Sequence, residues 1–152
     1  MKFLKAIAIG ASLLALAACS STSSNMNEEE CKASASQIEE LETKVGDRVF
    51  FAFDSSALSS EAQETLRKQA AFMEQNPDLC FTIEGNTDER GTREYNLALG
   101  ERRANAARQY LIGLGINGSR LTEVSFGKER PAVLGSNEWA WSQNRRAVTV
   151  CK

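Results

Sequence analysis

Asp88, Asn96 and Arg103 are the side chains in this sequence best placed to do chemistry together. Asn96 and Arg103 are seven residues apart, so on a helix they lie two turns apart on one face. Asp88 falls in the loop ahead of that face. A carboxylate and a guanidinium can therefore converge on one shallow cleft. Both signs of charge in one place suit a zwitterionic ligand. Asp88 would accept from an ammonium group, and the planar fork of Arg103 would grip a carboxylate better than a lysine would. The nearby helix N-terminus adds partial positive charge. The same spacing also fits a purely structural pair, in which Asp88 and Arg103 bond each other and tie loop to helix. Spacing alone leaves both open.

These residues need elements to hold them. Phe81-Thr82-Ile83 reads as a short strand leading into the charged stretch Glu84 to Ala104. Gly85 and Gly91 bracket a turn that can take positive φ. A helix then begins near Glu94–Asn96. Leu97, Ala104, Ala107, Leu111 and Leu114 recur at threes and fours, with Gly100 in the same row. Upstream, Val49 to Phe53 is a near-continuous apolar run, which predicts a strand buried on both faces. It ends at the turn Asp54-Ser55-Ser56, where Phe53 reads as core and Asp54 as a loop cap. Ser60 with Gln63 reads as a capping box. The helix it starts runs to about Asn76 with Ala62, Leu66, Ala70 and Met73 inward, and stops at Pro77. Downstream, the glycines between Gly113 and Gly118 end the second long helix. Leu121 to Phe126 is a third strand and Lys128 to Asn137 a long loop. Glu138 to Gln143 is a short helical turn carrying Trp139 and Trp141, and Ala147 to Cys151 is the last strand. The order β-α-β-α-β-β describes one α+β domain, residues 48–152, large enough for a single core.

The wording of the charged stretch is more specific than its spacing. Thr87-Asp88, Gly91, Asn96, Leu99 and Arg103-Ala104 resemble the signature of the OmpA-like domain family. The longer runs from Glu84 to Thr92 and from Leu99 to Ala104 are similar to its branch of peptidoglycan-associated lipoproteins. The resemblance resumes at Gly127-Lys128, at Pro131 to Gly135 and at Asn144 to Val148, and covers about residues 48–152. One departure is Arg93, where the family often has proline. The resemblance implies a mixed four-stranded sheet of order 1-4-2-3, its last strand antiparallel, with helices on one face. It implies that Asp88 and Arg103 bind the amine and carboxylate of diaminopimelate in the peptidoglycan stem peptide. Phe53, Asp54, Arg90, Thr92 and Leu99 are then expected to line the cleft beside Asn96. It also implies partnership with the periplasmic propeller protein TolB and other Tol proteins of the Tol-Pal envelope and cell-division system. An OmpA-like wall-binding lipoprotein of another envelope assembly remains the alternative.

Residues 1–18 read as a signal peptide. Lys2 and Lys5 start it, and its apolar run, Ala6 to Ala18, is too short to span a bilayer. Leu16-Ala17-Ala18-Cys19 resembles a bacterial lipobox, which implies lipidation at Cys19. The alternative is an ordinary cleavage near Ala18 that leaves a free cysteine. Ser20, where aspartate would favour inner-membrane retention, implies an outer-membrane anchor. Without residues 1–18 the formal net charge moves from −2 to −4, a poor balance for nucleic-acid binding. Residues 19–47 read as the lipidated end and a flexible linker. Ser20 to Glu30 is too polar to fold. Ile38, Leu41 and Val45 form a narrow stripe that fits a docked helix, a contact between two copies, or a solvated linker equally well.

The sequence has four cysteines and no histidine. With Cys19 reserved for lipid, Cys31, Cys80 and Cys151 remain, in an oxidising compartment. The family's sheet places Cys80 and Cys151 at adjacent strand ends, which implies a Cys80–Cys151 disulfide and leaves Cys31 to link two chains. A Cys31 bridge to Cys80 or Cys151 is the competing pattern. No metal site or cofactor is expected, since close cysteine pairs are also lacking. Catalysis is not expected either. A cell-wall hydrolase would need paired carboxylates, as from Asp88 with Glu89 or Asp54, but Arg90 beside them favours ionised groups.

Overall fold

The computed structural model describes residues 31–152, so the signal segment and Cys19 lie outside the described residues. Its elements are α1 (Ala35–Glu40), which widens into a π-helical turn at Leu41–Val45, β1 (Arg48–Phe50), α2 (Ser60–Gln75), β2 (Phe81–Asn86), α3 (Arg93–Gly113), a 3-10 turn at Gly118–Arg120, β3 (Leu121–Gly127), α4 (Glu138–Asn144) and β4 (Arg146–Cys151). The strands form one sheet in the order β1-β4-β2-β3. β2 and β3 are parallel, and β4 runs antiparallel to both β1 and β2. This is the α+β, 1-4-2-3 arrangement expected.

The core lies between one sheet face and the helices. Phe81 and Ile83 of β2, Leu121 of β3, Val49 of β1 and Ala147 of β4 meet Leu66, Ala70 and Met73 of α2 and Ala104, Ala107 and Leu111 of α3. The sheet's other face is open. Phe50, Val124 and Val150 stand 36–44 % exposed on it. This corrects the strand expected to be buried on both faces. With helices on one side only, β1 alternates, Val49 inward and Phe50 outward.

Two close approaches set how α3 meets the sheet. A Cβ on Gly85 would lie 1.7 Å from the Gly100 carbonyl oxygen, and one on Gly100 would lie 2.3 Å from Ser125 Oγ. Gly85 therefore serves helix-to-strand contact within β2, and not the turn geometry expected of it. Gly91, at φ +98, does supply the turn. α2 is capped by Ser59, whose hydroxyl accepts from Ala62 N at 3.1 Å, one residue before the expected Ser60. Gln63 instead donates to the Leu58 carbonyl.

The folded unit begins well before the expected boundary at residue 48. Ser34 caps α1 and makes a capping box with Gln37. Leu41 is buried in the core, and Ala33 N donates to Lys152 O at 2.7 Å. Of the three readings of this segment, the docked helix is the one seen. A disulfide joins Cys31 to Cys80, with Cα atoms 5.1 Å apart, and Cys151 is free. The expected Cys80–Cys151 bridge is thus replaced by its competitor, and Cys31 is occupied within its own chain. The reason is strand alternation. Phe81 sits directly opposite Cys151, so those two share the core face. Cys80, one residue earlier, turns its side chain to the other face.

Candidate functional site

β2 delivers its last residue, Asn86, to the mouth of a cleft, and the loop from Thr87 to Thr92 forms one wall. That loop is tied from several sides. Thr87 N donates to Gly127 O at 2.8 Å, Lys128 Nζ to Gly91 O at 2.7 Å, and Asn96 Nδ2 to the carbonyls of Arg90 and Thr92 at 2.9 and 3.0 Å. The first turn of α3 forms the second wall and the turn after β1 the third. There Asp54 adopts φ +51, a left-handed conformation uncommon outside glycine. The Tyr95 hydroxyl donates to its carboxylate, which raises the Tyr95 pKa. The cleft holds about 180 Å³ and is lined by Phe53, Asp54, Thr87, Asp88, Arg90, Gly91, Tyr95, Asn96, Leu99 and Arg103. Seven of the eight binding residues expected from sequence converge there. Thr92 does not. It caps α3, its hydroxyl accepting from Tyr95 N at 3.2 Å.

Asp88 and Arg103 share the cleft without bonding each other. Arg103 is fully buried and donates three ways to main-chain carbonyls: Nε to Ser55 and Nη1 to Asn86, both at 2.9 Å, and Nη2 to Ala52 at 3.1 Å. It pins the turn after β1 to the end of β2. A guanidinium has five N–H donors, so one remains on each Nη. Burial lowers its pKa to about 10, which leaves it charged near neutrality.

Asp88, 4 % exposed, faces two other arginines. Its Oδ1 accepts from Arg90 N and Nε at 3.1 and 3.2 Å. Its Oδ2 accepts from Arg90 Nη2 at 2.7 Å and Arg145 Nη1 at 3.5 Å. Burial pushes the Asp88 pKa up, but the bonds from Arg90 and Arg145 outweigh it and hold the carboxyl below its ordinary value. Glu89 is likewise held low, by hydrogen bonds from Ser136 and Trp141. Neither has the raised pKa of a general acid. Among the described residues, no group of three or more Cys, Asp or Glu is placed to hold a metal.

Arg145, Trp141 and Tyr95 were not assigned roles from sequence. Arg145 is buried behind Asp88 and also donates to Phe51 O and Glu138 Oε1, both at 2.8 Å. Trp141 stacks on Arg90 with the guanidinium carbon 4.0 Å from its ring centroid, while Phe53 covers the other side at 3.9 Å. Tyr95 adjoins Asn96 in the motif, which is the one local signal that could have pointed to it. Arg145 and Trp141 reach the site from the far end of the chain, and no spacing rule links them to Asp88.

The OmpA family profile matches residues 50–145. The peptidoglycan-associated lipoprotein of Brucella melitensis is 51 % identical over 112 residues, which span 74 % of this chain and 67 % of that relative. The protein of the same name from Haemophilus influenzae is 42 % identical over 153 residues, 97 % of each chain. The crystal structure of the peptidoglycan-associated lipoprotein from Burkholderia pseudomallei superposes with a TM-score of 0.68 at 45 % identity, covering 70 % of this chain and 90 % of that one.

Proposed function

The chain belongs to the OmpA family, among the peptidoglycan-associated lipoproteins, and from that membership we propose that it is a non-catalytic tether between the outer membrane and the cell wall. The observation that carries the reading is a cleft in which a carboxylate held ionised and a buried, charged arginine open onto the same small space. Its volume suits one amino-acid-sized group. The free end of diaminopimelate, with its amine and second carboxylate, is such a group. The amine is to be taken by Asp88. The carboxylate meets the remaining N–H donors of Arg103 under the partial positive charge at the start of α3. Phe53, Asp54, Arg90, Asn96 and Leu99 complete the surround, with Thr92 holding the helix end. Lipid on Cys19 places the domain in the periplasm beneath the outer membrane. Family membership supports a partnership with TolB and the Tol-Pal system.

Charge-assisted bonds contribute about 1.5–3 kcal/mol each, which two contacts spend largely on the cost of association. A single site therefore binds modestly, and attachment comes from many copies facing a polymer. The test is co-sedimentation of the full-length protein, in detergent, with purified diaminopimelate-type peptidoglycan, beside Asp88→Asn. Wild type is expected in the pellet and the folded variant in the supernatant. Equal sedimentation of the two would refute the clamp. Lysine-type peptidoglycan, which lacks the second carboxylate, is expected to retain less protein.

A further inference from the structure

The Asp88 carboxylate is already full. A carboxylate offers about four lone-pair positions, and here Arg90 takes three and Arg145 the fourth. A ligand ammonium cannot reach Asp88 unless one of these donors leaves. The two arginines differ in how firmly they are held. Arg145 has a side chain 8 % exposed and bonds to Phe51 and Glu138 as well. Apart from its bonds to Asp88, the Arg90 side chain is held by stacking between Phe53 and Trp141, and it is 31 % exposed. Phe53 itself is 59 % exposed at the rim of the cleft.

We propose that Arg90 is an internal place-holder for the ligand's cation: its guanidinium fills an aromatic-walled slot over Asp88, and an incoming alkylammonium group displaces it. Arg145 stays and keeps Asp88 ionised and aimed during the exchange. The slot explains why two rings flank a residue whose carboxylate partner alone would suffice to hold it, since aromatic faces attract a cation whichever molecule supplies it. It also makes the site selective. A neutral or acidic group gains nothing by displacing Arg90, because it leaves Asp88 uncovered.

This inference rests on the wall-binding reading for the identity of the ligand, but not for the slot itself. The test follows the Arg90 Nε–H resonance of the full-length protein in detergent. With the Arg90 guanidinium carbon 3.9 and 4.0 Å from the Phe53 and Trp141 ring centroids, the resonance is expected upfield in the free protein. Two probes are titrated separately, a stem tripeptide ending in diaminopimelate and butylammonium chloride. The expected result is that either probe moves the resonance to the position of a solvent-exposed arginine at saturation. An Arg90→Ala variant is expected to bind butylammonium about five-fold tighter or more, since for an internal occupant that fills the slot most of the time the apparent affinity rises by the inverse of the vacant fraction. If the tripeptide binds while Arg90 stays stacked, the slot is overturned and the wall reading survives. If butylammonium displaces Arg90 and the tripeptide does not bind, the slot survives and the wall reading falls. If neither probe displaces Arg90, or if Arg90→Ala binds butylammonium no tighter, the slot is overturned.

Discussion

Arg103→Ala tests whether this residue is first a structural tie. The substitution removes three hydrogen bonds from a charged donor to the carbonyls of Ala52, Ser55 and Asn86. At about 1.5–3 kcal/mol each, the gross loss is roughly 4–9 kcal/mol. Water entering from the open side of the cleft can satisfy part of this, so a net cost of about 4 kcal/mol is expected, against about 5–15 kcal/mol for a whole domain. With a urea slope of about 1.5 kcal/mol per molar, the unfolding midpoint should fall by roughly 2–3 M. Urea unfolding followed by far-ultraviolet circular dichroism measures it. Arg102→Ala is the matched control, because Arg102 is exposed on the same helix and should move stability by only about 0.5 kcal/mol. A loss below about 1 kcal/mol in Arg103→Ala would refute the reasoning and return Arg103 to the role of a free ligand-gripping side chain. If the loss is as large as expected, failure of this variant to bind the wall says little about ligand contact. Asp88→Asn is then the informative change.

Gly100→Ala should destabilise by at least about 1–3 kcal/mol, since its Cβ would press on Ser125 Oγ and the Gly85 backbone; the same urea assay reads it. Cys31→Ser should lower stability by about 2–4 kcal/mol, and dithiothreitol should lower the melting temperature of wild type but not of this variant. Burial pushes the free Cys151 thiol up to about 11, so iodoacetamide at pH 8 should modify it slowly until urea unfolds the domain. Asp88 has a folded pKa below its ordinary 3.8, so its contribution to stability is complete above that value and is lost as pH falls through the lower folded pKa. Acid titration by circular dichroism should therefore show a shallower loss below about pH 4 in Asp88→Asn than in wild type.

The long elements were legible because each carries its own signal. α2 shows Leu66, Ala70 and Met73 at helical spacing, and α3 is marked by its motif and by Ala104, Ala107 and Leu111. The cleft was legible where its residues are close in sequence, from Asp88 to Arg103, and where a motif extends to Phe53 and Asp54. Three things were not legible. The face of β1 left open depends on where the helices pack, which the apolar run from Val49 to Phe53 does not encode. The disulfide partner depends on register, because a one-residue step moves Cys80 off the face that Cys151 occupies. Of the partners of Asp88, Arg90 was legible as the neighbouring charge, but Arg145 was not, and the Arg103 expected to pair with Asp88 has its fork taken by carbonyls that only the fold presents.

The Cys31–Cys80 bridge also determines how a mechanical pull travels through the molecule. Tension arriving from the N-terminal side of Cys31 crosses the sulfur–sulfur bond into Cys80, at the head of β2, and bypasses α1, β1 and α2. From there the covalent path to Asp88 is the length of β2 alone. That strand is clamped on both sides, by β3 in parallel and by β4 in antiparallel register. Force along its axis must shear two ladders of hydrogen bonds together and cannot unzip them one at a time. With the bridge reduced, the same pull first peels α1 and then the short edge strand β1, which is paired on one side only. The oxidised chain thus behaves as a short, stiff link between its N-terminal end and its cleft, and the reduced chain as a long, soft one.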